Sequence, residues 1–253
     1  MQQQIHYLHS LGADIVRFPI YVYAAPLDVW LAKVDSILPV CQSAQMVLVL
    51  TLHSGPAPHA PVESDPNFAN WWGQISGHLR GQQQIWYDLA NEPQDPNWRQ
   101  IALAAAQRIR ASDTQNHIVF APRGTTTIPS STTRPLDGIQ RQIVTFHFYN
   151  WWDAVQSPTA TSPYPSGSYT KANMSALLSE VANFRTRYNV PVYIGEVAIR
   201  ENHPNAPRFL RDFTDLCDQL DIHLTVHAFE EAPVWNYESN PAAWLVLTTW
   251  LAR

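Results

Sequence analysis

Two glutamates close runs that are otherwise apolar: Glu92 in QIWYDLANEP (84–93) and Glu196 in PVYIGEVA (191–198). Strands and cores both avoid a carboxylate, so each is either a turn or ion-pair residue or a reactive group. Two carboxyl groups converging on one pocket suit the cleavage of a glycosidic bond. One protonates the leaving oxygen while the other attacks the anomeric carbon or activates water. Placed close together they also tune each other, because the charge on one keeps the other protonated near neutral pH. Asn91, beside Glu92, can hydrogen-bond a sugar hydroxyl while Glu92 donates its proton.

Other polar residues recur at the same kind of position. Arg17 and Tyr21 stand in or after IVRFPI (15–20), His53 after MVLVLTL (46–52), His147 and Tyr149 at the end of QIVTFHF (142–148), and Phe229 and Glu230 at the end of the run 223–229. Asp88 reads as structural, and Glu230, Glu231 and Glu238 as a solvated acidic loop. Among the aromatic stretches, Trp151, Trp152 and Trp235 are expected as cleft residues that offer flat apolar faces to pyranose rings, whereas Trp71 and Trp72 are expected in the core. The ten histidines show no HExxH or comparable spacing, so neither a catalytic metal nor another cofactor is expected.

The elements that must hold these residues are seven short, nearly continuous apolar runs: 15–20, 46–52, 84–90, 117–121, 142–148, 191–196 and 223–229. Strands covered on both faces read this way, and their starts are spaced by roughly 35 residues, the length of a strand–loop–helix unit. Helical stripes lie between them: Trp98 to Ala111, with Asp95 as N-cap and Pro96 in the first turn; Ser175 to Tyr188; and Ala206 to Leu220, where Phe209, Phe213, Leu216, Cys217 and Leu220 share one face. Strict alternation over one domain of 253 residues favours an α/β fold of the (β/α)8 TIM-barrel type over a doubly wound sheet. The chain opens in a helix, Ile5 to Leu11, so the barrel is expected to lack its first strand. The strand edges this leaves motivate a homodimer in which a second chain covers them.

Composition excludes other classes. A net charge of −5 with 16 Lys and Arg offers no basic stripe for nucleic acid or an anionic membrane. Cys41 and Cys217 each fall on an apolar helix face and read as small core residues. No run approaches the ~18 apolar residues of a membrane span, and the opening MQQQIHYLHS lacks the form of a signal peptide.

Taken in order, IVRFPI (15–20), LTLH (50–53), LANEP (89–93), FHFYN (146–150) and VYIGEVA (192–198) resemble glycoside hydrolase family 5, the cellulase family of Asn-Glu-Pro barrels, from the second to the eighth strand of its barrel. The resemblance implies a retaining mechanism with Glu92 as acid/base and Glu196 as nucleophile, their carboxyl groups roughly 5–5.5 Å apart. It also implies that Arg17 and Tyr149 hold Glu196 ionised, while His53, Asn91 and His147 bind sugar or support the acid/base. The family's Trp at the end of the eighth strand aligns by spacing with Phe229, with Trp235, six residues on, as its expected substitute. The resemblance implies an endo-β-1,4-glucanase acting on cellulose or mixed-linkage glucan, and secretion. A β-mannanase of the same family and a non-catalytic carbohydrate-binding barrel are the alternatives.

Overall fold

A computed structural model describes residues 1–55, 60–124, 129–130, 132–229 and 234–253. Glu230 and Glu231 of the acidic loop lie outside the described residues. The chain divides into two compact units, Met1–Thr125 with Arg134–Thr145, and Thr126–Thr133 with Phe146–Arg253.

The first unit opens with α1 (Gln2–Ser10) and continues through β1 (Ile15–Ile20), α2 (Leu27–Ser43), β2 (Val47–Leu52), α3 (Phe68–His78), β3 (Ile85–Asp88), α4 (Trp98–Arg110) and β4 (His117–Phe120) to the first half of β5 (Gln142–Phe148). Its strands pair in parallel, Arg17 opposite Val49 and Thr51 opposite Asp88, so that their C-terminal ends fall on one rim. The second unit carries the rest of β5, then α5 (Lys171–Tyr188), β6 (Val192–Val197), α6 (Ala206–Leu220), β7 (His223–Val226) and α7 (Pro241–Leu251). All seven strands follow one another in chain order. That is the order of a (β/α)8 barrel one strand short; a doubly wound sheet would reverse direction part-way.

Local chemistry accounts for the elements. Every residue of β5 and of β6 is buried, as continuous apolar runs require when both faces are covered. In α6 the stripe Phe209, Phe213, Leu216 and Cys217 is buried, and the helix ends on Asp221 in the left-handed region at φ 52°. The helix α5 starts on Thr170, whose Oγ1 accepts from the Asn173 amide at 3.3 Å, and stops at Asn189, also left-handed. The expected start of α4 shifts: its N-cap is Asn97, and Asp95 lies two residues earlier, where its Oδ1 accepts the Asn97 amide at 2.7 Å. Trp72 is fully buried and donates to the Leu89 carbonyl at 3.0 Å, while Trp71 packs on Tyr23. Cys41 and Cys217 are buried and free. No helix among the described residues is long and apolar enough to cross a membrane.

Two histidines, the half-buried His117 and the buried His203, make stability depend on pH. Burial lowers the pKa of His117 below its ordinary 6.5, and the nearby Arg141 and Arg110 lower it further. Burial also lowers that of His203, partly offset by the Ser162 carbonyl. Unfolded, both groups protonate near 6.5; folded, only at lower pH. Between those values the unfolded chain binds more protons, so stability falls as pH drops below 6.5 and levels off once the folded groups are charged. Melting temperatures taken from pH 7.5 to 5 are expected to decline across this window, with a shallower decline in His117→Gln; an unchanged slope would contradict this origin.

Candidate active site

In the first unit, the site residues gather where β1, β2 and β3 end. Arg17 Nε donates to Asp88 Oδ2 at 3.0 Å, and an Arg17 terminal nitrogen lies 3.0 Å from the same oxygen. The guanidinium also donates to Asn91 Oδ1 at 2.9 Å. The Asn91 amide in turn donates to the Leu52 carbonyl at 2.9 Å. A fully buried carboxylate thus has its counter-charge inside the strands, and the fork that neutralises it also orients the Asn91 side chain.

Glu92 follows with φ 46°, a left-handed conformation uncommon for a residue with a Cβ and found where the surroundings over-determine the backbone. Those surroundings are specific. The buried Glu63 carboxylate accepts the amides of Gln94 and Asp95 at 2.6 and 3.2 Å, and the Pro93 carbonyl accepts from the Gly124 amide at 2.9 Å. The chain after Asn91 is therefore held by one side chain and one backbone amide that are far away in sequence. His53 stands at the end of β2 with its ring 4.9 Å from that of Tyr21. Its Nδ1 accepts from the Gly55 amide at 3.2 Å, which in the neutral ring leaves the proton on Nε2.

In the second unit, Glu196 is the penultimate residue of β6 and only 8% exposed. Tyr149, one residue past β5, donates its hydroxyl to Glu196 Oε2 at 3.0 Å. His147 Nδ1 lies 3.9 Å from the same oxygen, and His227 Nδ1, one residue past β7, lies 3.8 Å from it. The pairing of β6 with β7 is irregular between Ile194 and Val197, and resumes at Val197 and Val226. Gly195 lies in this irregular stretch and its carbonyl accepts from Thr225 Oγ1; a bulge of this kind re-aims the side chains beside it. Gln156, fully buried, donates to the carbonyls of Phe148 and Ala198 at 2.7 and 2.8 Å and accepts from the Trp151 amide at 3.0 Å, which ties together the ends of β5 and β6. Tyr237 accepts from the Ile199 amide and donates to its carbonyl, at 2.9 and 2.7 Å. Burial raises the Tyr237 pKa and keeps that hydroxyl protonated.

The family model for cellulase, glycosyl hydrolase family 5, matches residues 1–227. The chain belongs to glycosyl hydrolase family 5. It is a glycoside hydrolase. Among solved structures, an endoglucanase superposes with a TM-score of 0.82 at 14% identity, covering 98% of this chain and 89% of the other. A GH5 xyloglucan-specific endo-β-1,4-glucanase from a metagenomic library, in complex with cellotriose, gives 0.75 at 16%, over 98% and 87%. Thermotoga maritima Cel5A in complex with mannotriose gives 0.76 at 17%, over 93% and 84%. At these identities the likeness is one of fold. No curated protein matches the chain in sequence.

Within this family 5 chain, Arg17 and Asn91 are in contact in the first unit, with His53 and Glu92 beyond the ends of β2 and β3, and His147, Tyr149 and Glu196 come together in the second. Two expectations change. Trp151 is 8% exposed, packed on Phe148, Tyr164, Tyr169 and Phe209, and so belongs to the core, because the π-helical turn Trp152–Gln156 turns adjacent side chains to different sides. Trp152 is 40% exposed, and its ring lies 5.9 Å from that of Trp235. Phe229, expected at a strand end, lies three residues beyond β7 and stacks on Trp244 of α7 at 6.2 Å. His227 stands at the strand end in its place. Sequence reasoning missed His227, Gln156 and Glu63, none of which has a local signal.

Asp88 is charged and fully buried, so Arg17→Met is expected to cost about 3–5 kcal/mol, the typical effect of leaving a buried charge unpaired. Urea unfolding of both proteins measures this; a loss below ~1 kcal/mol would mean the pair is not what holds this rim.

Proposed function

We propose that this protein is a retaining endo-β-1,4-glucanase in which Glu92 is the acid/base and Glu196 the nucleophile. The observation that carries this reading is the setting of Glu196: a nearly buried carboxylate that accepts a phenolic hydrogen bond at 3.0 Å, which favours the ionised form a nucleophile needs. In the first step Glu196 attacks the anomeric carbon as the glycosidic C–O bond breaks, and the Glu92 proton passes to the departing oxygen. In the second, Glu92 takes a proton from water, the water oxygen bonds to the anomeric carbon, and the ester electron pair returns to Glu196. His53, with its proton on Nε2, and Asn91, oriented by Arg17, are the donors assigned to sugar hydroxyls. Trp152 and Trp235 are the stacking faces.

Endoglucanases among the similar structures favour glucan, and the mannotriose bound to the Thermotoga maritima protein keeps a β-mannanase as the second reading. Export from the cell belongs to the same proposal, by analogy with the family.

Reducing-sugar release from carboxymethyl-cellulose, barley β-glucan and mannan by wild type, Glu92→Gln and Glu196→Gln tests this reading. Both variants are expected to lose 10²–10⁴-fold or more, on the order of a general acid–base contribution, with glucans cleaved faster than mannan and the first product formed as the β-anomer in proton NMR. Preference for mannan would select the second reading. A folded wild type that binds one polymer and cleaves none would make the protein a binding module.

A further inference from the structure

Glu196 Oε2 accepts from the Tyr149 hydroxyl at 3.0 Å, and the Nδ1 atoms of two imidazoles stand just beyond hydrogen-bond distance. His147 Nδ1 is 3.9 Å away on β5 and almost fully buried. His227 Nδ1 is 3.8 Å away on the chain leaving β7, and its side chain is 31% exposed. The backbone fixes the second arrangement: the ladder resumes after the bulge with Val197 opposite Val226, and the His227 amide donates to the Val197 carbonyl at 3.0 Å. The His227 ring also packs against Trp235, whose ring lies 5.9 Å away at 67°. An imidazole packed against an aromatic ring and beside a carboxylate oxygen can close the last few tenths of an ångström without leaving its place, and such contacts commonly tighten once reaction begins.

We propose that His227 is a positioning residue for Glu196, closing to hydrogen-bond contact with Oε2 when the carboxylate leaves the sugar. The proposal rests on Glu196 being the nucleophile. Charge drains from Glu196 as its bond to the anomeric carbon forms, and returns when that bond breaks and the water oxygen replaces it, the water proton passing to Glu92. A donor on Oε2 therefore assists the second step and does little for the first. Tyr149 and His147 face the same oxygen from β5 and are unchanged in the test.

The test uses an aryl cellobioside with a good leaving group, so that the second step limits turnover. His227→Phe keeps a ring and removes the donor, and His227→Asn puts an amide N–H near the position of Nδ1. We expect His227→Phe to lower kcat on the order of tenfold and KM in proportion, with kcat/KM nearly unchanged and a burst of released phenol, the signature of an accumulating intermediate. His227→Asn is expected to recover most of kcat. Should His227→Phe not fold, His227→Ala serves as the donor-free arm. Wild-type kcat in the donor-free variant, kcat and kcat/KM falling together without a burst, or His227→Asn as slow as His227→Phe would each overturn the proposal. If instead Glu196→Gln turns over as fast as wild type, the nucleophile assignment itself fails and this inference falls with it.

Discussion

A carboxylate at the end of an apolar strand is stable as an anion only if the groups around it replace the water it has lost, and the second unit is arranged around that requirement. Desolvation alone would push Glu196 toward its neutral form, with a penalty of several kcal/mol for the charge. The Tyr149 hydroxyl supplies the direct hydrogen bond, and two imidazoles stand close by. None of these groups is placed by its own strand alone. Gln156 fastens the ends of β5 and β6 to each other, Tyr237 holds the chain after β6 at Ile199, and the pairing of β6 with β7 is irregular at Gly195 and Glu196.

The first unit meets a related constraint differently. There the buried anion is Asp88, and its counter-charge Arg17 crosses from β1. The guanidinium makes the ion pair and orients Asn91 at once, so a structural salt bridge and a residue proposed to bind sugar share one set of donors. Glu92 lies just beyond, in a left-handed conformation that Glu63 and Gly124 hold through the backbone of the following residues. Strain of this kind persists only where neighbours enforce it, and here the enforcing groups come from other loops.

These arrangements explain what could be read from the sequence. The strands were legible because parallel strands covered on both faces leave nearly unbroken apolar runs, and α6 because its stripe survives over four turns. Glu92, Glu196, Arg17, His147 and Tyr149 stood out as polar groups at the ends of such runs. Trp151 and Trp152 could not be told apart, since the π-helical turn that sends one ring inward and the other toward solvent has no periodicity to read. Phe229 and His227 exchanged roles because β7 stops at Val226, and the β6–β7 irregularity makes a count of residues from Glu196 misleading. Glu63 and Gln156 act through loop backbones brought near only by the fold.

The most direct measurement is the identity of the residue that an activated 2-deoxy-2-fluoro-cellobioside labels. The fluorine slows both steps and the good leaving group restores the first, so a retaining enzyme accumulates its glycosyl ester. Mass spectrometry of the digested, inactivated protein is expected to place one sugar on the peptide containing Glu196, and no label on Glu196→Gln. Label on Glu92, or steady turnover without any adduct, would contradict the assignment of Glu196 as the nucleophile.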